Sequence, residues 1–164
     1  MKKHIETYIA EHGLALTKLC LSLCGNTHDA EDLCQSTWEK AIRNLRKYDT
    51  DKPFEKWLFA ICINTYRDRV RRYDNRKILR FSSDEEQDRF LSSIPSGDTD
   101  RDEMIALHTS VRQLKPALRE VIVLYYFRDY SVAEMSEILG IPEGTVKSRL
   151  STAREQLRKE LKDD

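Results

Sequence analysis

Ser131-Val132-Ala133-Glu134-Met135-Ser136-Glu137-Ile138-Leu139-Gly140-Ile141-Pro142-Glu143-Gly144-Thr145-Val146-Lys147-Ser148-Arg149-Leu150 is the stretch that decides the architecture of this chain. Ser131 and Glu134 stand at capping-box spacing, where hydroxyl and carboxylate each satisfy an orphan amide of a first helical turn. A short helix is predicted to run to Leu139, with Gly140 at the position where a left-handed residue ends a helix. After the tight connection Ile141–Gly144, helical periodicity resumes over Thr145–Leu161 through Val146, Leu150, Ala153 and Leu157. Helix, short glycine-containing turn and second helix make a helix-turn-helix. The second helix gathers its apolar residues on one side and leaves Lys147, Ser148, Ser151, Thr152, Arg154 and Arg158 largely on its other faces. Such side chains contact phosphates and base edges when a recognition helix enters the major groove. The competing reading is an ordinary helical hairpin with a solvated polar face.

Upstream of this motif, residues 104–114 and 116–127 have helical periodicity, with Pro116 suited to a first helical turn. Further back lies Ser83-Asp84-Glu85-Glu86-Gln87-Asp88 and its continuation to Glu103, rich in acids and poor in aliphatics. Such a composition buries little apolar surface and predicts a linker. Before it, three apolar series recur every three or four residues: Ile5 to Leu23, Ala30 to Leu45, and more loosely Trp57 to Val70. No strand alternation and no internal repeat is found. The expected fold is all-α: two small helical domains, 1–82 and 104–164, joined by a flexible acidic linker, 83–103.

The formal net charge of the 164 residues is zero, which at first argues against a nucleic-acid partner. Taken by segment, the charge says otherwise. Residues 1–82 hold 16 basic and 11 acidic groups, 83–103 hold 2 and 8, and 104–164 hold 10 and 9. The linker therefore hides a basic N-terminal half. Within that half, Phe54–Asn64 is aromatic and apolar and leads into the basic run Arg67, Arg69, Arg71 and Arg72. Basic side chains beside aromatic rings suit phosphate contact and stacking on unpaired bases. For Trp57 and Phe59 alone, burial in a core is the favoured reading.

Taken together, Asp29-Ala30-Glu31-Asp32-Leu33-Cys34-Gln35, Phe54-Glu55-Lys56-Trp57-Leu58 with Asn64, and Ser131–Leu150 ending in Gly144-Thr145-Val146-Lys147-Ser148-Arg149-Leu150 resemble an extracytoplasmic-function (ECF) RNA polymerase sigma factor, in order and over nearly the whole chain. The resemblance implies a factor of the stress-response class that directs polymerase to promoters. Asp29, Asp32, Gln35 and Trp38 would bind the β′ clamp helices of the polymerase core. The loop 47–53 with Phe59, Ile61, Asn64 and Thr65 would open the −10 element and capture an unstacked base, while Arg67, Arg69, Arg71 and Arg72 hold the backbone. The helix-turn-helix would read the −35 element through Thr145, Lys147, Ser148, Arg149, Ser151, Thr152 and Arg154. The preceding helix would pack near the β flap, and a cognate anti-sigma factor, often membrane-anchored, would mask both domains. The chain departs from the family pattern at Ala60, where some relatives carry Arg, and at Ser136, where Ala is common; the small Ser136 is expected to have little consequence. One length agrees: 21 linker residues span roughly 70 Å when extended, and elements about 17 base pairs apart lie roughly 58 Å apart.

Other classes are weighed on the same residues. A stand-alone helix-turn-helix regulator would dimerise on a palindrome, and the N-terminal basic-aromatic segment would have no use. An enzyme is not expected, because phosphate loop, H-E-x-x-H and nucleophile elbow are all missing. Cys20, Cys24, His28 and Cys34 are zinc-ligand types without the usual C-x2-C pair. Packing as free thiols is expected of them, with zinc binding and redox sensing as the alternatives. No cofactor and no bound metal is expected. No apolar run reaches 18 residues, so membrane insertion is excluded, and a chain working as a monomer in the bacterial cytoplasm is expected.

Overall fold

The computed structural model describes residues 4–74 and 109–162; the acidic segment 83–103 lies outside them. The chain divides into two compact units, Met1–Ser82 and Ser83–Asp164, and the described residues of both are helical, with no strand among them.

In the first unit α1 (Ile5–Cys24), α2 (Thr27–Arg43) and α3 (Phe54–Asp74) pack each against the other two, and a 3-10 turn (Leu45–Lys47) follows α2. Two residues separate α1 from α2, and both have a defined task. Gly25 takes the left-handed conformation (φ 76°) and donates its amide to the Leu21 carbonyl at 2.8 Å, a helix stop that any residue with a Cβ would strain. Asn26 then caps α2: its Oδ1 accepts from the Asp29 amide and its Nδ2 donates to the Asp29 carboxylate, both at 2.8 Å. The core is aliphatic, with Leu16, Leu19, Leu23, Leu33, Leu58 and Ile63 fully buried. At one end it passes into an aromatic cluster in which Phe54 stacks on Tyr8 (ring centroids 4.0 Å apart) and meets Tyr48 edge-on at 5.2 Å. Rings at such spacings add to simple burial.

In the second unit, helical residues 109–113 lead to α4 (Pro116–Ile122), which continues as a π-helical turn, Val123–Phe127. The helices α5 (Val132–Leu139) and α6 (Glu143–Lys162) follow. Pro116 occupies the first turn of α4, as its missing N–H and fixed φ favour. The expected continuous helix 116–127 is thus α-helical in its first part and π-helical in its second. The capping box is present with both bonds made: Ser131 Oγ accepts from the Glu134 amide at 3.1 Å, and the Ser131 amide donates to the Glu134 carboxylate at 3.3 Å. Gly140 is left-handed (φ 67°), as expected. The recognition helix starts at Glu143, two residues earlier than its periodicity indicates, because the Pro142 carbonyl already accepts the Val146 amide at 3.1 Å. Val146, Leu150, Ala153 and Leu157 are buried, and α6 packs on both α4 and α5.

Candidate nucleic-acid interface

Burying Val146, Leu150, Ala153 and Leu157 fixes the rotation of α6 about its own axis and so decides which side chains face outward. Lys147, Ser148, Ser151 and Thr152 are exposed, while Thr145 and Arg149 are half-buried at the edges of that surface. Ser148 Oγ donates to the Gly144 carbonyl at 3.0 Å, which spends its hydrogen inside the helix and leaves its oxygen lone pairs to accept from outside. Arg154 belongs to a different environment. Its Nε donates to the Tyr126 hydroxyl at 2.8 Å, and its guanidinium lies 5.0 Å from the Tyr125 ring centroid and 5.6 Å from that of Tyr126. The hydrogen bond to Tyr126 is the chief reason its pKa is held above the ordinary arginine value. Arg154 is thus a charged strut between α6 and the π-helical turn, one turn beyond Ser151 on the same side of the helix.

Ser136 is more than a small residue in α5. Its carbonyl accepts both the Gly140 amide (3.0 Å) and the Ile141 amide (3.3 Å), and its hydroxyl donates to the Ile141 carbonyl at 2.5 Å. Three hydrogen bonds through one residue hold the turn that sets α5 against α6, a role that alanine would lose in part. The expectation that Ser136 is of little consequence is corrected here.

In the first unit, α2 presents Asp32 and Gln35 to solvent. His28 Nε2 lies 3.7 Å from the Asp32 carboxylate, and Gln35 Nε2 donates to Glu39 at 3.3 Å. Each pair is one helical turn apart, so His28, Asp32, Gln35 and Glu39 form one polar stripe along α2. Sequence reading missed His28 and Glu39 as members of this stripe; their i, i+4 spacing from Asp32 and Gln35 was the available signal. Asp29 and Trp38 flank the stripe half-buried, Asp29 fixed by Asn26 and Trp38 stacked near Phe54 with centroids 6.4 Å apart.

The α3 candidates divide into two groups. Asn64, Arg71 and Arg72 are exposed, and Ile61, Arg67 and Arg69 are half-buried. Phe59 and Thr65 point inward, with exposures of 0% and 4%. Phe59 is a core residue, and Thr65 is held by two hydrogen bonds: it accepts from Lys40 Nζ at 3.2 Å and donates to the Ile61 carbonyl at 2.8 Å. Both are therefore corrected from contact residues to supports for their outward neighbours. Arg69 crosses to α2 and donates to Ser36 Oγ at 3.0 Å, and Arg71 pairs with Asp68 at 3.2 Å. The 47–53 loop is anchored by the buried Tyr48, whose hydroxyl donates to the Lys52 carbonyl, while Asp49 through Pro53 stay exposed.

The suspected zinc ligands are not gathered. Cys20 faces Cys62 of α3, His28 faces Asp32, and among the described residues no group of three His, Cys, Asp or Glu side chains is placed to hold a metal ion. No helix among the described residues is long and apolar enough to cross a membrane.

Comparison with known proteins gives the following. Residues 8–76 match the family model for sigma-70 region 2, and residues 104–157 match that for sigma-70, region 4. The chain is 34% identical over 154 residues to the ECF RNA polymerase sigma factor SigW of Bacillus subtilis, an alignment covering 89% of this chain and 82% of SigW. Among solved structures it is similar to the sigma factor RpoE in complex with the anti-sigma factor NepR from Bartonella quintana, with a TM-score of 0.78, 25% identity and 99% of each chain covered. It is also similar to CnrH in complex with the cytosolic domain of CnrY, with a TM-score of 0.70, 27% identity and coverage of 98% and 88%.

Proposed function

Because this chain belongs to the ECF RNA polymerase sigma factors of the sigma-70 family, we propose that it binds polymerase core through α2 and reads promoters with both units. Residues 1–82 serve as sigma domain 2, 104–164 as sigma domain 4, and 83–103 as the tether between them. The observation that carries this assignment is the outward surface of α6, where Lys147, Ser148, Ser151 and Thr152 lie opposite an anchored apolar stripe behind a turn locked by Gly140 and Ser136.

In this assignment the stripe Asp32–Gln35, flanked by Asp29 and Trp38, meets the β′ clamp helices. Its acids complement a basic partner, and the half-buried indole supplies an apolar anchor. Ile61 and Asn64 capture an unstacked −10 base, with Phe59 and Thr65 holding their helix in place, while Arg67, Arg69, Arg71 and Arg72 contact phosphates. Thr145, Lys147, Ser148, Arg149, Ser151 and Thr152 read the −35 element. The chain performs no catalysis of its own: it lends sequence specificity and offsets unstacking, which costs a few kcal/mol per step. Two modest contacts on one tether give avidity, so promoter binding depends on the polymerase. By likeness to a relative co-crystallised with an anti-sigma factor, an anti-sigma factor masks both units in the bacterial cytoplasm, and a membrane-anchored partner of this kind would hold the chain at the membrane.

Fluorescence anisotropy of the labelled chain with bacterial core polymerase tests this. Saturable binding, weakened about tenfold or more by the pair D32A and Q35A, is expected. Tight binding of a palindrome by the chain alone, without affinity for polymerase, would establish a stand-alone regulator instead.

A further inference from the structure

Two cations sit in the seam where α2 packs against α3, and each meets a neutral hydroxyl rather than a carboxylate. Lys40 of α2 reaches across and donates through Nζ to Thr65 Oγ1 at 3.2 Å. Arg69 of α3 crosses in the opposite direction and donates through Nη2 to Ser36 Oγ at 3.0 Å. The pairings 36 with 69 and 40 with 65 run antiparallel, so the two contacts stand one helical turn apart on both helices, about 5.4 Å along the seam. Lys40, Arg69 and Ser36 are half-buried, and Thr65 is buried. The carboxylates next to the two cations in the chain are engaged elsewhere: Glu39 accepts from Gln35, and Asp68 pairs with Arg71. Among the described residues no acid lies within ion-pair distance of Lys40 or Arg69.

We propose that this seam is a two-phosphate track: Lys40 and Arg69 bind successive backbone phosphates of the unpaired −10 strand, held in register by Thr65 and Ser36. The proposal rests on the assignment of α3 as the −10 helix. It adds Lys40 and Ser36, which belong to α2, the helix assigned above to polymerase. The two partners of α2 then meet different sides of it: polymerase meets the solvent stripe of Asp32 and Gln35, and the DNA strand meets the edge that faces α3.

A half-buried cation that meets only a hydroxyl gives up hydration without regaining a counter-charge. For packing alone an uncharged side chain of the same length would serve, whereas a phosphate supplies the missing charge through short, charge-assisted hydrogen bonds. Both groups have donors to spare: Thr65 takes one of the ammonium's three, and Ser36 takes one of the guanidinium's five. The hydroxyls fix where each flexible side chain ends, so less rotamer freedom is lost when a phosphate arrives. Arg71 differs in this respect, because its ion pair with Asp68 must open first. The position fits as well. Thr65 follows the exposed Asn64 and lies one turn from Ile61, the two residues assigned to the unstacked base, so base and backbone are held by neighbouring turns of α3. Phosphate contacts carry no sequence information; the track sets the path of the strand and leaves the choice of base to Ile61 and Asn64.

The test is the salt dependence of binding between holoenzyme, formed from the full chain and bacterial core polymerase, and a labelled promoter fragment recovered by run-off transcription, its −10 segment left unpaired by mismatches. Each phosphate contact on a single strand contributes about 0.7 to the slope of log affinity against log salt. K40Q is expected to bind about tenfold more weakly and to lower the slope by about 0.7; K40Q with R69Q should lower it by about 1.4. K40R should restore the slope, and S36A should weaken binding about threefold with the slope of the parent, since it frees a side chain and removes no charge. A role confined to packing would leave every slope unchanged. If K40Q melts early, R69Q reads the same change from the α3 side. Parental slopes in K40Q and R69Q, or a lowered slope that K40R fails to restore, would overturn the track. Loss of affinity for core polymerase in K40Q would make Lys40 a polymerase contact and overturn it too. A parent chain that forms no holoenzyme would overturn the sigma assignment itself, whereas parental slopes in variants that form holoenzyme would remove the track alone.

Discussion

Arg119 of α4 is only 8% exposed, yet it carries a guanidinium into the second unit. Its Nε donates to the Val111 carbonyl at 3.2 Å, and its Nη2 donates to the carbonyls of Arg112 at 2.6 Å and Leu114 at 2.8 Å. The Val111 carbonyl also accepts the Leu114 amide at 3.2 Å, whereas the Leu114 carbonyl closes the turn and takes its donor from Arg119. Val111 and Leu114 are buried at 2% exposure, so water cannot replace the arginine there, whereas Arg112 is half-exposed and its carbonyl can be rehydrated. A buried acceptor left unpaired costs about 1–3 kcal/mol, and the Leu114 carbonyl, since Val111 keeps the Leu114 amide, places R119A at a loss of about 2 kcal/mol. For a domain of this size each kcal/mol moves the midpoint by about 4–8 °C, so a loss of about 2 kcal/mol predicts a fall of about 8 °C or more. R119M, which keeps the stem, separates lost packing from lost hydrogen bonds and should fall nearly as far. Both tryptophans, Trp38 and Trp57, belong to the first unit. Loss of far-ultraviolet helical signal at temperatures where tryptophan emission is still native assigns the damage to the second unit. A far-ultraviolet midpoint within about 4 °C of the parent, equivalent to less than about 1 kcal/mol, would refute the reasoning.

Other substitutions probe the remaining devices. N26A removes both bonds to Asp29, and the lost cap should cost about 1 kcal/mol and weaken polymerase binding; thermal melts and anisotropy read the two effects. S136A, which loses one partly buried hydrogen bond, should cost about 1 kcal/mol and reduce −35-dependent initiation, measured by melting and by transcription from a promoter with an altered −35 element. For Cys34, held down to about 7 from an ordinary 9.0 chiefly by a hydrogen bond from the Cys20 thiol, alkylation by iodoacetamide should rise through neutrality and level off where an ordinary thiol is still gaining reactivity. The sign for stability follows. The unfolded thiol keeps its proton to higher pH, so the contribution of this group is complete above about 9 and is lost as pH falls through about 7. A reactivity curve that keeps climbing to pH 9 would show that the Cys20 hydrogen bond does not hold the thiolate.

The helix-turn-helix was legible because its signals are local. Ser131 and Glu134 are three residues apart, Gly140 stands at a helix end, and the apolar spacing of Val146, Leu150, Ala153 and Leu157 fixes which side of α6 faces out. The same kind of signal was present in Gly25-Asn26, where a left-handed stop and an asparagine cap divide α1 from α2 in the gap between the first two apolar series. The aromatic segment of α3 was harder. Phe59 and Ile61 are two residues apart, and only packing against α1 and α2 determines that one is core and the other half-open. Thr65 was turned inward by its bond to Lys40, a partner 25 residues away. Arg154 was read only as a −35 contact and Arg119 was not singled out, since nothing in their neighbourhoods along the chain names Tyr126 or Val111 as partners. The thiol contact was least legible: the Cys20-x3-Cys24 spacing drew attention to a pair one turn apart, while the buried sulfur of Cys20 meets that of Cys62, 42 residues on.

Run-off transcription with bacterial core polymerase on a pool of random promoters, with and without this chain, tests the initiation role most directly. Start sites that appear only when the chain is present, on DNA sharing two motifs at one fixed spacing, are the predicted result. An unchanged set of start sites, with the chain bound to polymerase or not, would contradict it.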